Sequence, residues 1–241
     1  MGPVLETRDL TIRFGGHVAV NAVSCAFQPG TLTAIVGPNG AGKVLLRGED
    51  ITRLAVSERT RRGIGRAFQL TNLFPNLTVG ENVRLAVQAR AGMGLNLVAM
   101  WTRHRELIEK AEHFLSRVAL RERRDALASA LSHGDQRKLE VAILLALEPE
   151  VFMFDEPTAG MSVDEVPVIL ELIHEIKAQK DKTILLVEHK MDVVRSLADR
   201  IVVLHQGELV ADALPAEVIA SPVVQEAYLG VSANAGIPAN G

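Results

Sequence analysis

The stretch Leu32-Thr33-Ala34-Ile35-Val36-Gly37-Pro38-Asn39-Gly40-Ala41-Gly42-Lys43-Val44 decides how this chain reads. An apolar run that turns through glycines into a lysine matches the phosphate-binding P-loop, G-x-x-x-x-G-K followed by Ser or Thr. In that motif backbone N–H groups and a helix N-terminus hold phosphate oxygens, the lysine reaches the β and γ phosphates, and the hydroxyl binds Mg²⁺. Gly37, Pro38, Asn39, Gly40, Ala41, Gly42 and Lys43 are therefore candidate nucleotide-binding residues. The pattern then breaks. Val44 has no hydroxyl, and Val44-Leu45-Leu46-Arg47 followed by Gly48-Glu49-Asp50 reads as a strand and a turn, not a helix. Leaving a buried parallel strand takes a crossover of about a dozen residues, usually a helix. The expectation is a further stretch of roughly one crossover helix between Lys43 and Val44, so that the two are not bonded neighbours. The alternative is a true deletion that leaves a purely structural subunit.

Composition sets the outer bounds. With 241 residues, 48% hydrophobic and 23% charged, the chain is ordinary for a globular protein. Its length suits one large α/β domain or a core with a subdomain. A net charge of −3 gives no broad electrostatic footprint for nucleic acid, and no nucleic-acid partner is expected. The single Cys25 cannot form an intramolecular disulfide and is expected to pack as a small apolar residue in a reducing compartment. No apolar run of about 18 residues could span a bilayer, and the N-terminus lacks a signal-peptide pattern. A role at a membrane would need another chain.

Along the chain, Val4–Thr7, Leu10–Phe14 and Val18–Phe27 have strand character, with Gly15-Gly16 as a turn. From Asn82 to about Ala130 the apolar residues recur at helical spacing. Arg137–Leu147 reads as a helix, Val151–Phe154 as a buried strand, and Thr183–Val187 as another. Ser162 and Glu165 have capping-box spacing before a helix that contains Pro167 near its start. Ile201–Leu204 and Glu208–Ala211 flank Gln206-Gly207, a hairpin signal. Residues 231–241 read as a loose tail.

Val151–Phe154 runs into Asp155-Glu156-Pro157, two carboxylates at the C-terminal end of an apolar strand, where open α/β sheets place their ligands. There Asp155 can hold Mg²⁺ and Glu156 can orient or deprotonate an attacking water. Upstream, Leu131-Ser132-His133-Gly134-Asp135-Gln136-Arg137 opens a helix whose N–H groups can face a phosphate. This stretch resembles the signature LSGGQ-x-R of ATP-binding cassette (ABC) ATPases, with His133 and Asp135 replacing its second Gly and its Gln. The resemblance extends in order to Gln69 as the Q-loop glutamine near Mg²⁺ and water, His189 as the switch histidine on the γ-phosphate, and Phe14 as the aromatic that stacks on adenine. Arg59, Arg61, Arg62 and Arg66 are most simply a solvated face.

Within ABC ATPases, RRGIGRAFQLTNLFPNLTVGENV, LSHGDQRKLEVA and DEPTAGMSVDE resemble the ATPases of branched-chain amino acid importers and their urea and amide relatives. Ser162 stands where many ABC proteins have Asp, and Ile143 where an Arg is common. The resemblance implies an α/β P-loop core of ABC type, residues 1–69 and 131–230, with an N-terminal antiparallel β subdomain and an inserted helical subdomain at 70–130. It implies ATP and Mg²⁺, with Asp155 and Gln69 near the metal, Glu156, Gln69 and His189 catalytic, and Ser132, His133, Gly134 and Asp135 on the nucleotide of a second subunit. It also implies a homodimer or heterodimer of ATPases, two transmembrane permease subunits, a periplasmic solute-binding protein, and a place on the cytoplasmic face of the inner membrane. The alternatives are a urea or amide importer, a lipopolysaccharide exporter, and a non-transport ABC ATPase.

Overall fold

A computed structural model describes residues 2–14, 17–36, 43–67, 73–92, 100–188 and 190–225. For Phe14, His17, Val36, Lys43 and residues 100–104 the description is of the backbone alone. The chain divides into two compact units, Met1–Arg53 with Leu185–Gly241, and Leu54–Ile184.

In the first unit, β1 (Leu5–Phe14) pairs antiparallel with β2 (His17–Phe27). The two short strands expected before Gly15 are one strand that bulges at Asp9, where φ is +47°. The bulge takes the Asp9 N–H out of the ladder, and it donates to Ser24 Oγ at 2.9 Å; across the pair Ala22 N–H donates to Thr11 Oγ1 at 2.9 Å. β4 (Lys43–Leu46) lies on the other edge of β1, with Arg8 opposite Lys43 and Thr7 opposite Val44, and β5 (Glu49–Asp50) completes the order β2-β1-β4-β5.

The strand read after Lys43 is present, with Lys43 itself as its first residue. The segment takes strand form because Leu45 and Leu46 are buried and β1 offers a free edge.

β3 (Leu32–Val36) runs parallel to β9 (Arg200–His205), which pairs antiparallel with β10 (Glu208–Ala213). Gln206 and Gly207 both have positive φ, +51° and +83°, the two-residue turn whose twist suits a hairpin. A Cβ at Gly207 would lie 3.0 Å from the Ala19 carbonyl oxygen, so glycine is needed for the turn to sit on β2. The helices α6 (Met191–Leu197), α7 (Pro215–Ala220) and α8 (Pro222–Val224) enclose a core of Ala34, Val194, Ile201, Val203 and Val218. Cys25 is buried as expected.

The second unit begins with α1 (Val56–Arg61) and β6 (Ile64–Ala67), which pairs parallel with β7 (Val151–Asp155). The helical run expected from Asn82 starts at Val79 and separates into α2 (Val79–Arg90) and α3 (Met100–Arg117). Thr78 and Glu81 form a full capping box at the start of α2, and the buried Asn82 amide ties the loop before it through Phe74 N–H and O. α4 (His133–Ala146) opens at the Ser132 turn, as the Leu131–Arg137 stretch suggested, and Ser132 Oγ caps it by accepting from Asp135 N–H at 3.1 Å. α5 (Val166–Ala178) starts later than the Ser162–Glu165 pair suggested. Glu165 does reach back to Ser162 N–H at 3.0 Å, but the Ser162 hydroxyl donates to the same carboxylate instead of capping. Pro167, with its fixed φ, sits in the first turn instead. β8 (Thr183–Val187) carries the chain back toward the first unit. No helix of the described residues is long and apolar enough to cross a membrane.

Gly65 sets the spacing of α4 from β6. A Cβ there would lie 2.4 Å from Leu144 Cδ1 and 2.7 Å from Pro149 Cγ. Gly65→Ala should destabilise the fold by about 1–3 kcal/mol through overpacking, read as a drop in urea midpoint with unchanged slope.

Candidate functional site

β7 is apolar and buried along most of its length, and it delivers Asp155 and then Glu156 at its C-terminal end. Asp155 is 7% exposed. Its Oδ2 accepts from Arg66 Nη2 at 2.8 Å, so Arg66 of β6, exposed as expected, also serves as a counter-ion. Parallel register makes this contact: Arg66 is opposite Met153 and Ala67 opposite Phe154, beside the end of β7.

Glu156 is half-buried and has φ +47°. A non-glycine residue in this region is strained by about 1–2 kcal/mol, the kind of cost that accumulates at functional sites. Its carbonyl accepts from Ala159 N–H at 3.0 Å and from Arg137 Nη2 at 3.1 Å. Arg137 is itself buried, and its Nη1 donates to Glu140 Oε2 at 2.7 Å. Burial pushes the Glu140 carboxyl up, and the Arg137 bond opposes that shift without cancelling it. Glu140 Oε1 is buried and accepts no hydrogen bond from described residues.

The N-terminus of α4 presents Ser132 and His133 at the surface, while Gly134 is buried. A Cβ on Gly134 would meet Glu165 Oε2 at 2.3 Å, so glycine is needed where that carboxylate lies. Glu165 Oε1 accepts from Lys138 Nζ at 2.9 Å, and Lys138 also donates to Asp135 Oδ1 at 3.1 Å. Burial pulls the Lys138 ammonium down, but its bonds to Glu165 and Asp135 outweigh this and leave it raised. The Lys138 bond, followed by the Ser162 N–H and hydroxyl, draws Glu165 from the ordinary 4.5 down to about 2. A carboxylate with a depressed value stabilises the fold above its ordinary pKa and loses that contribution as pH falls through the folded one. The gap in melting temperature between the natural chain and Glu165→Gln should therefore be constant above pH 4.5 and close as pH approaches about 2.

Asp155, Glu156 and the Ser132–Asp135 turn thus belong to one unit, joined through Arg137. Gly37, Pro38, Asn39, Gly40, Ala41, Gly42, Gln69 and His189 lie outside the described residues. Phe14 ends β1, and Lys43 opens β4 instead of leading into a helix. Among the described residues no group of three or more His, Cys, Asp and Glu could hold a metal. Sequence reading missed Arg66, Arg137, Lys138, Glu140 and Glu165 as parts of the site. The three-residue spacings Asp135/Lys138 and Arg137/Glu140 could have signalled the helical pairs; the contacts of Arg66 and Glu165 join distant segments and leave no such trace.

A family model described as ABC transporter matches residues 20–159. The chain is 36% identical to the high-affinity branched-chain amino acid transport ATP-binding protein LivG of Escherichia coli, over 95% of this chain and 98% of the relative. It is equally similar, 36% over the same shares, to the corresponding protein BraF of Pseudomonas aeruginosa. The LivG alignment runs over 250 positions, more than this chain has residues, so the relative carries positions with no counterpart here. A crystal structure of a nucleotide-free ATP-binding cassette from an ABC transporter superposes with a TM-score of 0.77 at 27% identity, covering 96% of this chain and all of that one.

Proposed function

This chain belongs to the ABC transporter family, and from that premise we propose that it is the ATP-binding and ATP-hydrolysing subunit of an importer for branched-chain or other amino acids. The solute class rests on the function named for LivG and BraF. One observation carries the catalytic part: a buried strand ends in Asp155 and then in Glu156, whose strained backbone is held from the helix that Ser132 caps.

Phosphoryl transfer to water depends mostly on positioning and charge stabilisation. Glu156 orients and deprotonates the attacking water. Lys43 neutralises phosphate charge, His189 holds the γ-phosphate, Gln69 senses its surroundings, and Phe14 stacks on adenine. Ser132, His133, Gly134 and Asp135 meet the nucleotide of a second ATPase subunit, which is a copy of this chain or a related one. Residues 70–130 form the helical subdomain that passes motion to two permease subunits at the cytoplasmic face of the inner membrane, where a periplasmic protein delivers the solute.

In sites of this kind Mg²⁺ asks the protein for one or two carboxylates and takes its other oxygens from phosphate and water. Asp155 fits that demand, and the cation now beside it at 2.8 Å is Arg66. Bound there, the metal would neutralise charge on the phosphates. No P-loop hydroxyl follows Lys43 in this chain: Val44 comes next, and its N–H donates to Thr52 Oγ1 at 2.9 Å. We assign the positions that LivG has in excess to the point after Lys43. Nucleotide affinity should then be weaker than that of LivG of Escherichia coli in a side-by-side titration with a fluorescent ATP analogue. Equal affinity would count against that assignment.

The function is tested by co-expressing the chain with the membrane subunits encoded beside it and reconstituting the complex in vesicles. ATP-dependent uptake of labelled leucine, isoleucine or valine is the expected result. A complex that moves urea, amides or lipopolysaccharide and no amino acid would overturn the solute class.

A further inference from the structure

Glu156 occupies a conformation that its residue type disfavours, φ +47°, so something outside the residue must hold it there. The Ala159 N–H bond to its carbonyl is local and belongs to the turn itself. The other bond is not local. It comes from Arg137 Nη2, 3.1 Å away, and the same nitrogen lies 3.3 Å from the Asp155 carbonyl oxygen. Arg137 therefore grips the peptide groups on both sides of the Glu156 α-carbon. The guanidinium is fixed in turn by its Nη1 bond to Glu140 Oε2, one turn further along α4. A planar, multi-donor fork can bond two carbonyls and a carboxylate at once, whereas an ammonium on a flexible stem lacks that geometry.

Arg137 stands in the second turn of α4, the helix that begins at the Ser132 cap. One buried side chain thus joins the helix end that presents Ser132 and His133 to the turn that presents Glu156. We propose that Arg137 is the positioning residue for Glu156: it holds the left-handed turn that aims the carboxylate, with Glu140 as its brace. A displacement of the α4 N-terminus is thereby passed to the group that handles water. The inference rests on the reading of Glu156 as the hydrolytic carboxylate.

The test uses the full-length chain in its transporter complex, with Arg137→Lys and with Arg137→Gln combined with Glu140→Gln. The combined variant removes the charges of Arg137 and Glu140 together, so neither is left buried without the other; should it fail to fold, Arg137→Lys retains the charge and carries the test. Because a small misplacement of a catalytic group can cost up to about 100-fold in rate, kcat should fall by roughly 10- to 100-fold. KM for ATP should stay within about threefold, since only transition-state alignment is lost. In a Glu156→Gln background the Arg137 changes should lower kcat by less than about twofold, because residues that act through one another are non-additive. A raised KM with unchanged kcat, or losses that multiply in the Glu156→Gln background, would overturn the assignment. Normal turnover in Glu156→Gln alone would instead remove the reading on which it rests.

Discussion

Glu156→Gln should bind ATP as the natural chain does and turn it over about 10²- to 10⁴-fold more slowly, the range that general-base catalysis contributes. The substitution keeps the length and shape of the side chain, so the strained φ of +47° and the Arg137 and Ala159 bonds to the carbonyl need not change. Only the capacity to take a proton from water is lost. Phosphate release under saturating ATP measures the effect, and size-exclusion chromatography should show an ATP-bound dimer accumulating because hydrolysis no longer releases it. Near-normal steady-state hydrolysis would refute the role of Glu156.

Arg137→Ala should cost about 3–5 kcal/mol of stability, the usual result of removing one partner of a buried ion pair. Glu140 is buried, and Arg137 supplies the bond on Oε2 while Oε1 accepts none from described residues. The truncation leaves a carboxylate inside the fold without its compensating charge and removes the Arg137 bonds to the carbonyls of Asp155 and Glu156. Such a loss is a large part of the roughly 5–15 kcal/mol that a domain possesses. Equilibrium urea unfolding measures it. A loss below about 1 kcal/mol would show that water or rearrangement satisfies Glu140 readily.

Much of the architecture was legible because it is written in local patterns. The apolar runs at Val151 and Thr183 are strands, and Gln206-Gly207 is the hairpin turn. Boundaries were less legible where side chains compete for the same N–H groups. Ser132 opens α4 because its hydroxyl accepts from Asp135 N–H. Ser162 shows the same residue type failing to cap, since its hydroxyl is engaged by Glu165 and Pro167 sets the helix start. At the interrupted P-loop the residues after Lys43 read as a strand and not as the helix the motif calls for, and the chain places them as a strand on the edge of β1.

What the sequence determined by itself is chemistry carried by order and residue type: a glycine loop ending in Lys43, a Ser132 turn, and Asp155-Glu156 at the end of an apolar strand. These follow from short-range rules, since backbone turns, caps and strand ends depend on neighbours a few residues away. Tertiary structure alone decided how that chemistry is held. It brought Arg66 to Asp155 across parallel strands, set Glu165 against Gly134, and ran Arg137 from α4 to the carbonyl of Glu156. Those contacts join segments up to 89 residues apart. They form only when burial removes water and forces each polar group to find a partner, a requirement that no local pattern records.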